Sequence, residues 1–356
     1  MSNSSPLRVA IVGCGNIAGA YGSAITSHAD SLQLLGACDM DRQRAEQLTQ
    51  QHGGQVYDSL EAVLSDPQVE VVVNLTTHHA HVGVITRTLE AGKHVYTEKP
   101  LALDANDAQQ LVQLAQQRGL RLASAPITFL GEAAQTALKL IHDDLIGPVR
   151  IVYAEMNWNR IEVWHPAPGP FYQVGSMFDV GVYPLTIMTA ILGPVTQVQA
   201  FGGVLQPQRQ TRDGQAFTVE TPDWMCALLQ FESGPRCRLT TSFYVGESKQ
   251  NGIEFHGDKG TLHLADAAAF NAALQLKEFG GGEWQDQLLP EGAFEGVDWA
   301  RGLVDLEAAI RDNRPHRATG SQAAHVVEIA AAVHGAIASG ETITINSRFS
   351  LPEPWL

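Results

Sequence analysis

The first strand and the turn after it constrain this chain more than any other stretch. Leu7-Arg8-Val9-Ala10-Ile11-Val12 is apolar but for one charge, and Gly13-Cys14-Gly15-Asn16-Ile17-Ala18 then opens a helical pattern that runs from Asn16 to Thr26. A strand, a glycine turn and a helix in that order begin a parallel sheet with crossover helices. Gly13 permits a tight reversal, Gly15 lets the backbone come close to a bulky anion, and Ala18 keeps the helix near the strand behind only a methyl group. Asn16 and Ile17 then open a helix whose free N–H groups and partial positive charge suit a pyrophosphate.

The alternation continues through the first third of the chain. Strands are expected over Leu32–Cys38, Val69–Leu75, His94–Thr97 and Leu120–Ser124, with helices over Asp41–Gln50, His79–Glu90 and Asp104–Arg118 between them. The β-branched run from Val69 has the composition of a strand buried on both faces. Gly92 and Gly119 stand where helices stop. The pattern is α/β, a doubly wound parallel sheet with helices on both faces. It changes after Pro126. A helix over Gly131–Asp144 is followed by strands over Val149–Trp158, Val195–Gly202, Met225–Phe231, Arg236–Tyr244 and Ile253–His256, which make a mostly antiparallel α+β sheet. One helix from Ser176 to Leu192 interrupts that sheet, helices over Val297–Arg311 and Ser321–Ala338 close the chain, and polar Gln206–Gln215 reads as a surface loop. Two domains follow, residues 1–125 and 126–356.

With 23 basic against 38 acidic residues the net charge is −15, which repels nucleic acid and anionic lipid. No segment has the roughly 18 consecutive apolar residues of a membrane helix. Met1–Pro6 is polar and leads into too short an apolar run for a secretory leader. Cys14, Cys38, Cys226 and Cys237 are scattered and read as reduced thiols. The expected setting is the cytoplasm.

Asp39, at the end of the second strand, lies at the distance beyond the glycines where a carboxylate accepts hydrogen bonds from the adenosine ribose and repels a 2′-phosphate. NAD is therefore expected. Asp39 could instead cap the next helix, and Arg42 one turn on could hold the 2′-phosphate of NADP.

Glu98-Lys99-Pro100 ends the strand His94–Thr97, at the sheet edge where ligands of open α/β sheets bind. Together with the glycine turn it resembles the Gfo/Idh/MocA oxidoreductases, the family of glucose–fructose oxidoreductase and inositol dehydrogenase, over nearly the whole chain. The resemblance implies a Rossmann-type first domain and a hydride transfer between nicotinamide and a carbon bearing hydroxyl or carbonyl. Thr76 and His81 match the family's Thr…His pair, and His78 stands where many relatives have Asn. The resemblance gives Glu98 a contact to the nicotinamide ribose and Lys99 a place beside the reacting hydroxyl, where a positive charge favours the developing alkoxide. It also implies that the Lys99–Pro100 bond is often cis.

The other half of the chemistry is expected in Gly175-Ser176-Met177-Phe178-Asp179-Val180-Gly181-Val182-Tyr183. Asp179 and Tyr183 are four apart and share one face of a helix, with Gly181 leaving room between them. Relatives commonly read GGxxxDxGxH here; this chain has Val174 for the first glycine and Tyr183 for the histidine, as in the tyrosine-containing branch. That implies Tyr183 as proton donor and acceptor, aided by a lysine that lowers its phenol pKa, and Asp179 as anchor for a substrate hydroxyl. Trp164, His165 and Tyr172 precede this segment and could line a sugar pocket. Thr76–His81 contains three histidines without the carboxylate or cysteine partners of a zinc site, so no metal is expected.

The expected substrate is a sugar, cyclitol or glycoside, and the uncovered sheet face suggests a homodimer or homotetramer built through the second domain. An NAD-dependent glycosidase of the same fold and a non-catalytic nucleotide sensor stand as alternatives.

Overall fold

The computed structural model describes residues 5–355 and separates by contact into two units. Residues up to Ile127 join Asp298–Ala324 in the first, and Thr128–Val297 joins the chain from His325 onward in the second. A single cut near residue 125 does not describe this, because 298–324 returns to the first unit. His28 Nε2 lies 2.9 Å from Asp298 Oδ2, His316 Nε2 lies 3.0 Å from the Leu122 carbonyl, and the Ser124 amide donates to Ala318 O. The sequence pattern of this segment is helical in either setting, so it did not reveal which core the helix joins.

The first unit is the expected Rossmann-type layer. Strands β1 (Leu7–Val12), β2 (Leu32–Cys38), β3 (Gln55–Val56), β4 (Val71–Asn74), β5 (His94–Thr97) and β6 (Leu122–Ser124) form one parallel sheet in the order β3-β2-β1-β4-β5-β6. The order reverses between β1 and β4, where such sheets open a crevice. Helices α1 (Ala18–Ser27), α2 (Arg42–His52), α3 (Leu60–Ser65), α4 (His81–Glu90) and α5 (Ala105–Arg118) connect the strands. Their ends have local causes. Asp41, Ser59 and Asp104 cap α2, α3 and α5 with side-chain oxygens, and Gly119 closes α5 in the left-handed region. β3 and α3 lay outside the expected elements, being too short for a clear period. Register matters most for function: Cys38 pairs with Val12, Val12 with Asn74, Asn74 with Thr97, and Thr97 with Ser124. One row of strand ends thus releases the glycine turn, Asp39, Thr76 and Glu98-Lys99 at the same edge.

The second unit begins with a 3₁₀ turn at Thr128–Leu130 and α6 (Glu132–His142), then β7 (Val149–Asn157), α7 (Ile161–Trp164), α8 (Gly169–Ser176), a π-helical turn Met177–Gly181 and α9 (Val182–Leu192). β8 (Val195–Gly203), β9 (Gln208–Gln210), β10 (Ala216–Thr218), β11 (Trp224–Phe231), β12 (Arg236–Ser242), β13 (Gly252–Gly257), β14 (Gly260–Leu264), β15 (Leu274–Glu278) and β16 (Gln285–Asp286) follow. The chain ends with α10 (Arg301–Arg311) in the first unit, α11 (Gly320–Ser339) and β17 (Ile343–Thr344). Nine strands in the order β16-β15-β14-β13-β7-β12-β11-β8-β17 make the sheet, antiparallel except for the parallel pair β7–β12. Alternation along β7, β11 and β12 buries Val152, Ala154, Leu229 and Leu239 on one face and leaves Ile151, Tyr153 and Leu228 exposed on the other.

Gly169–Leu192 lacks 18 consecutive apolar residues but is, by length and mean hydropathy, long and apolar enough to cross a membrane; 89% of its most apolar 18-residue window is buried inside the protein. Two local readings change. The single helix expected over Ser176–Leu192 is interrupted, with α8 breaking at Gly175 (φ +81°, ψ 163°) ahead of the π turn. The expected surface loop Gln206–Gln215 contains β9, which pairs with β10 and buries Arg209.

Candidate active site

In the first unit, the Gly13 amide donates to Cys38 O at 2.8 Å and its φ of +94° lies in the left-handed region. A Cβ on Gly13 would lie 2.7 Å from the backbone of Leu75 and Thr76, so no other residue fits. Gly15 is different: a Cβ there meets nothing within 4 Å, and Gly15 and Asn16 are exposed. The space over Gly15 is therefore open for a ligand. Helix α1 starts behind Ile17 with no side-chain cap and no acidic residue in its first turn, which suits an anion. These features fit a dinucleotide.

Asp39 is fixed by two amides, Oδ2 accepting from Cys14 at 2.6 Å and Oδ1 from Asp41 at 2.8 Å. Met40, beside it, is fully exposed, an apolar surface that the sequence pattern did not single out. Arg42 pairs with Glu46 and Asp58, so its guanidinium is already engaged by carboxylates.

Thr76 donates its hydroxyl to Asn74 Oδ1 at 2.7 Å, and Asn74 Nδ2 donates to Thr97 Oγ1 at 3.0 Å, tying the ends of β4 and β5 together. His81 is 1% exposed, with Nδ1 2.7 Å from Pro100 O and Nε2 3.1 Å from Thr76 O. Burial holds its pKa below the ordinary histidine value, so the ring is neutral and its single N–H donates to one of these two carbonyls. A ring so enclosed offers no surface to a ligand, and the cofactor contact expected of it becomes support for the turn. Glu98 is buried, accepting the Tyr21 hydroxyl at 2.7 Å on Oε1 and the Lys99 amide at 3.0 Å on Oε2. Desolvation, and then the Glu98 carboxylate, push the Tyr21 phenol pKa far up, so Tyr21 stays a donor. Tyr21 has no local signal beyond its place on the apolar side of α1. The Lys99–Pro100 peptide is cis. From Val95 to Ala102, Lys99 is the only residue that is not buried.

In the second unit, every residue from Val174 to Gly193 is buried except Asp179 and Tyr183. The pattern is selective. The segment is otherwise core, and its two non-buried side chains are the two that the sequence marks as candidates for the chemistry. Gly181 does not leave the room expected of it, because a Cβ there would lie 2.6 Å from Met177 Sδ and 3.1 Å from Thr241 Cγ2. Its lack of a side chain seats the π turn against β12, where Ser176 and Thr241 hydroxyls also meet at 2.9 Å. Trp164 is exposed and lies edge-on to His165 and Phe171. Tyr172 is buried, and its hydroxyl donates to Glu162 and accepts from Arg209, so it holds structure where a lining role was expected. All four cysteines are free, and among the described residues no three His, Cys, Asp or Glu side chains cluster as a metal would need.

The family model described as "Oxidoreductase family, NAD-binding Rossmann fold" matches residues 7–125, and the GFO/IDH/MocA C-terminal domain matches 134–263. The chain belongs to the Gfo/Idh/MocA oxidoreductase family. Among curated relatives of this Gfo/Idh/MocA protein, trans-1,2-dihydrobenzene-1,2-diol dehydrogenase of Sus scrofa is 26% identical over 273 residues, 76% of each chain. Two solved structures share the fold. An NAD binding oxidoreductase from Klebsiella pneumoniae has a TM-score of 0.83 at 22% identity, covering 96% of this chain and 100% of its own. The WlbA dehydrogenase from Bordetella pertussis, in complex with NADH and UDP-GlcNAcA, has a TM-score of 0.78 at 20% identity, covering 96% and 99%. As a Gfo/Idh/MocA member the protein is an NAD(P)-dependent dehydrogenase or reductase acting on hydroxyl or carbonyl groups.

Proposed function

We propose that this oxidoreductase acts on a hydroxyl-bearing carbon of a sugar, cyclitol or glycoside, with NAD as its preferred dinucleotide. The observation that carries the reading is selective exposure: Lys99 alone over Val95–Ala102, and Asp179 and Tyr183 alone over Val174–Gly193. The name of the pig relative, a ring diol dehydrogenase, and the sugar nucleotide bound to the Bordetella relative support a polyhydroxylated substrate.

A bound nicotinamide supplies the acceptor or donor of hydride. The chain supplies the rest. Tyr183 as its phenolate takes the hydroxyl proton as the carbinol carbon is oxidised, and the phenol so formed gives the proton back in the reverse direction. The Lys99 ammonium stabilises charge on the substrate oxygen. Asp179 accepts a hydrogen bond from a neighbouring hydroxyl and orients the ring. The glycine turn and α1 hold the pyrophosphate, Thr76 lines the cofactor side, and Glu98 holds the nicotinamide ribose. Asp39 favours NAD over NADP by repelling a 2′-phosphate. The same reading places the protein in the cytoplasm as a homodimer or homotetramer, with a second copy on the exposed sheet face of Ile151, Tyr153 and Leu228.

The test is a spectrophotometric screen for NADH formation over sugars, inositols and glycosides, repeated with NADP. On the best substrate, Lys99→Ala and Tyr183→Phe should lower kcat by about a thousandfold or more, leaving NADH affinity largely intact. Wild-type rates in either variant remove that residue from the mechanism. Release of free sugar without net NADH would replace the dehydrogenase reading with a glycosidase.

A further inference from the structure

Arg209 lies on β9 in a stretch whose composition reads as a polar loop, yet it is 4% exposed and each of its three nitrogens donates a hydrogen bond. Nε donates to Gln206 O at 3.0 Å, Nη1 to Glu162 Oε1 at 3.1 Å and to the Tyr172 hydroxyl at 2.8 Å, and Nη2 to Asp223. The Tyr172 hydroxyl in turn donates to Glu162 Oε2 at 2.5 Å and accepts from the Ile161 amide at 3.2 Å. Asp223 is wholly buried and accepts the Leu205 amide at 2.8 Å. One guanidinium thus joins β9, α7, α8 and the start of β11. Only a planar fork reaches all of these acceptors at once; an ammonium carries the same charge without the geometry.

The position of this cluster relative to the candidate chemistry gives it meaning. Tyr172 is three residues before Gly175, where helical geometry breaks and the π turn bearing Asp179 begins. At Gly175 the backbone leaves helical geometry, so the helix alone does not set the direction in which the π turn leaves α8. Packing must do so, and the Tyr172 ring lies in one apolar cluster with Ile161, Val180 and Phe243, against which Tyr183 packs. The orientation of the Tyr183 segment therefore depends on where Tyr172 is held, and Arg209 and Glu162 hold it.

We infer that Arg209 is a positioning residue for the reaction, acting with Glu162 through Tyr172 on the segment that carries Asp179 and Tyr183. This rests on the role proposed above for Tyr183. A displacement of about 1 Å at a reacting group costs rate more than binding.

Tyr172→Phe and Arg209→Lys are the informative variants, since both keep the buried carboxylates paired with a cation. Each is expected to lower kcat by about tenfold or more, with KM for the alcohol and Kd for NADH changed by less than about threefold. Amide hydrogen exchange over 169–183 should become faster. Arg209→Ala leaves Glu162 and Asp223 without their cation, and if it folds, added guanidinium should restore part of kcat; Arg209 borders a cleft of about 510 Å³ through which it can enter. If Tyr172→Phe and Arg209→Lys lower only the melting temperature, with kcat and exchange over 169–183 as in wild type, the cluster is merely structural and the inference fails. Should Tyr183→Phe itself keep wild-type turnover, the functional reading fails separately. Exchange over 169–183 then decides the positioning claim: faster exchange in the two variants upholds it, and unchanged exchange overturns it.

Discussion

The Cys14 amide donates to Asp39 Oδ2 at 2.6 Å, joining the glycine turn to the end of β2 within the protein itself. The same carboxylate accepts the Asp41 amide through Oδ1, so its charge is fixed in direction. A group held in this way discriminates by repulsion as well as by attraction. Asp39→Ala should therefore raise the kcat/KM ratio of NADP over NAD by about tenfold or more. The steady-state ratio on one substrate measures it, and an unchanged ratio would show that Asp39 does not read the ribose.

Gly13 and Gly15 are two residues apart and should respond differently to one methyl group. At Gly13 an added Cβ meets the backbone of Leu75 and Thr76 at 2.7 Å and the φ of +94° disfavours any side chain. Gly13→Ala should cost about 2 kcal/mol or more of stability, as well as dinucleotide affinity. At Gly15 the methyl meets nothing within 4 Å, so Gly15→Ala should keep its melting temperature and still lose NADH affinity. Thermal unfolding without ligand, beside an NADH titration, separates the two. A Gly15→Ala protein that binds NADH normally would show that the open space is not where the pyrophosphate lies.

The uncovered sheet face carries a prediction of its own. Leu228 is 53% exposed, opposite Gln199 on β8 and Arg238 on β12, and Arg238 in turn lies over the Tyr153 ring. A second copy would bury Leu228 between these strands. Analytical ultracentrifugation should find the wild type as a dimer or tetramer, and Leu228→Asp should shift it to smaller species by desolvating a charge at the contact. A wild type that sediments as a monomer at micromolar concentration would end the idea.

Much of the fold and of the candidate site was legible because two kinds of signal are local. The β1–glycine–α1 order and the strand-end position of Glu98-Lys99-Pro100 are read from adjacent residues, and the parallel register then places them at one edge. What was not legible depends on contacts distant in sequence. Arg209 reads as a loop charge until Glu162, 47 residues away, and Asp223 are brought to it. Gly181 reads as space until Met177 and Thr241 fill it. Tyr21 becomes part of the site only through Glu98, 77 residues on. The return of 298–324 to the first unit likewise depends on partners such as His28 that no helical period encodes.

His325 ties the end of the chain into the second unit, and its chemistry predicts how stability depends on pH. Its Nε2 accepts the Val195 amide at 2.9 Å, and its Nδ1 lies 2.8 Å from the Ser347 hydroxyl. An imidazolium has no lone pair to accept that amide, so protonation breaks the first bond. Burial lowers the pKa to about 4 in the folded protein. The unfolded chain has an ordinary histidine there, near 6.5. Between these values the unfolded state binds the extra proton, so stability rises with pH across that window. The contribution is fully present above about pH 6.5, is lost as pH falls toward 4, and amounts to about 3 kcal/mol. His316, whose pKa burial also lowers to about 4, adds a term of the same sign in the first unit. Urea unfolding from pH 4.5 to 7.5 should therefore show a falling midpoint on the acid side. His325→Gln should be less stable at pH 7.5 and show a shallower acid slope, with the His316 term remaining. Parallel curves for the variant and the wild type would mean that His325 binds its proton equally well in the folded and unfolded chain, and would overturn the prediction.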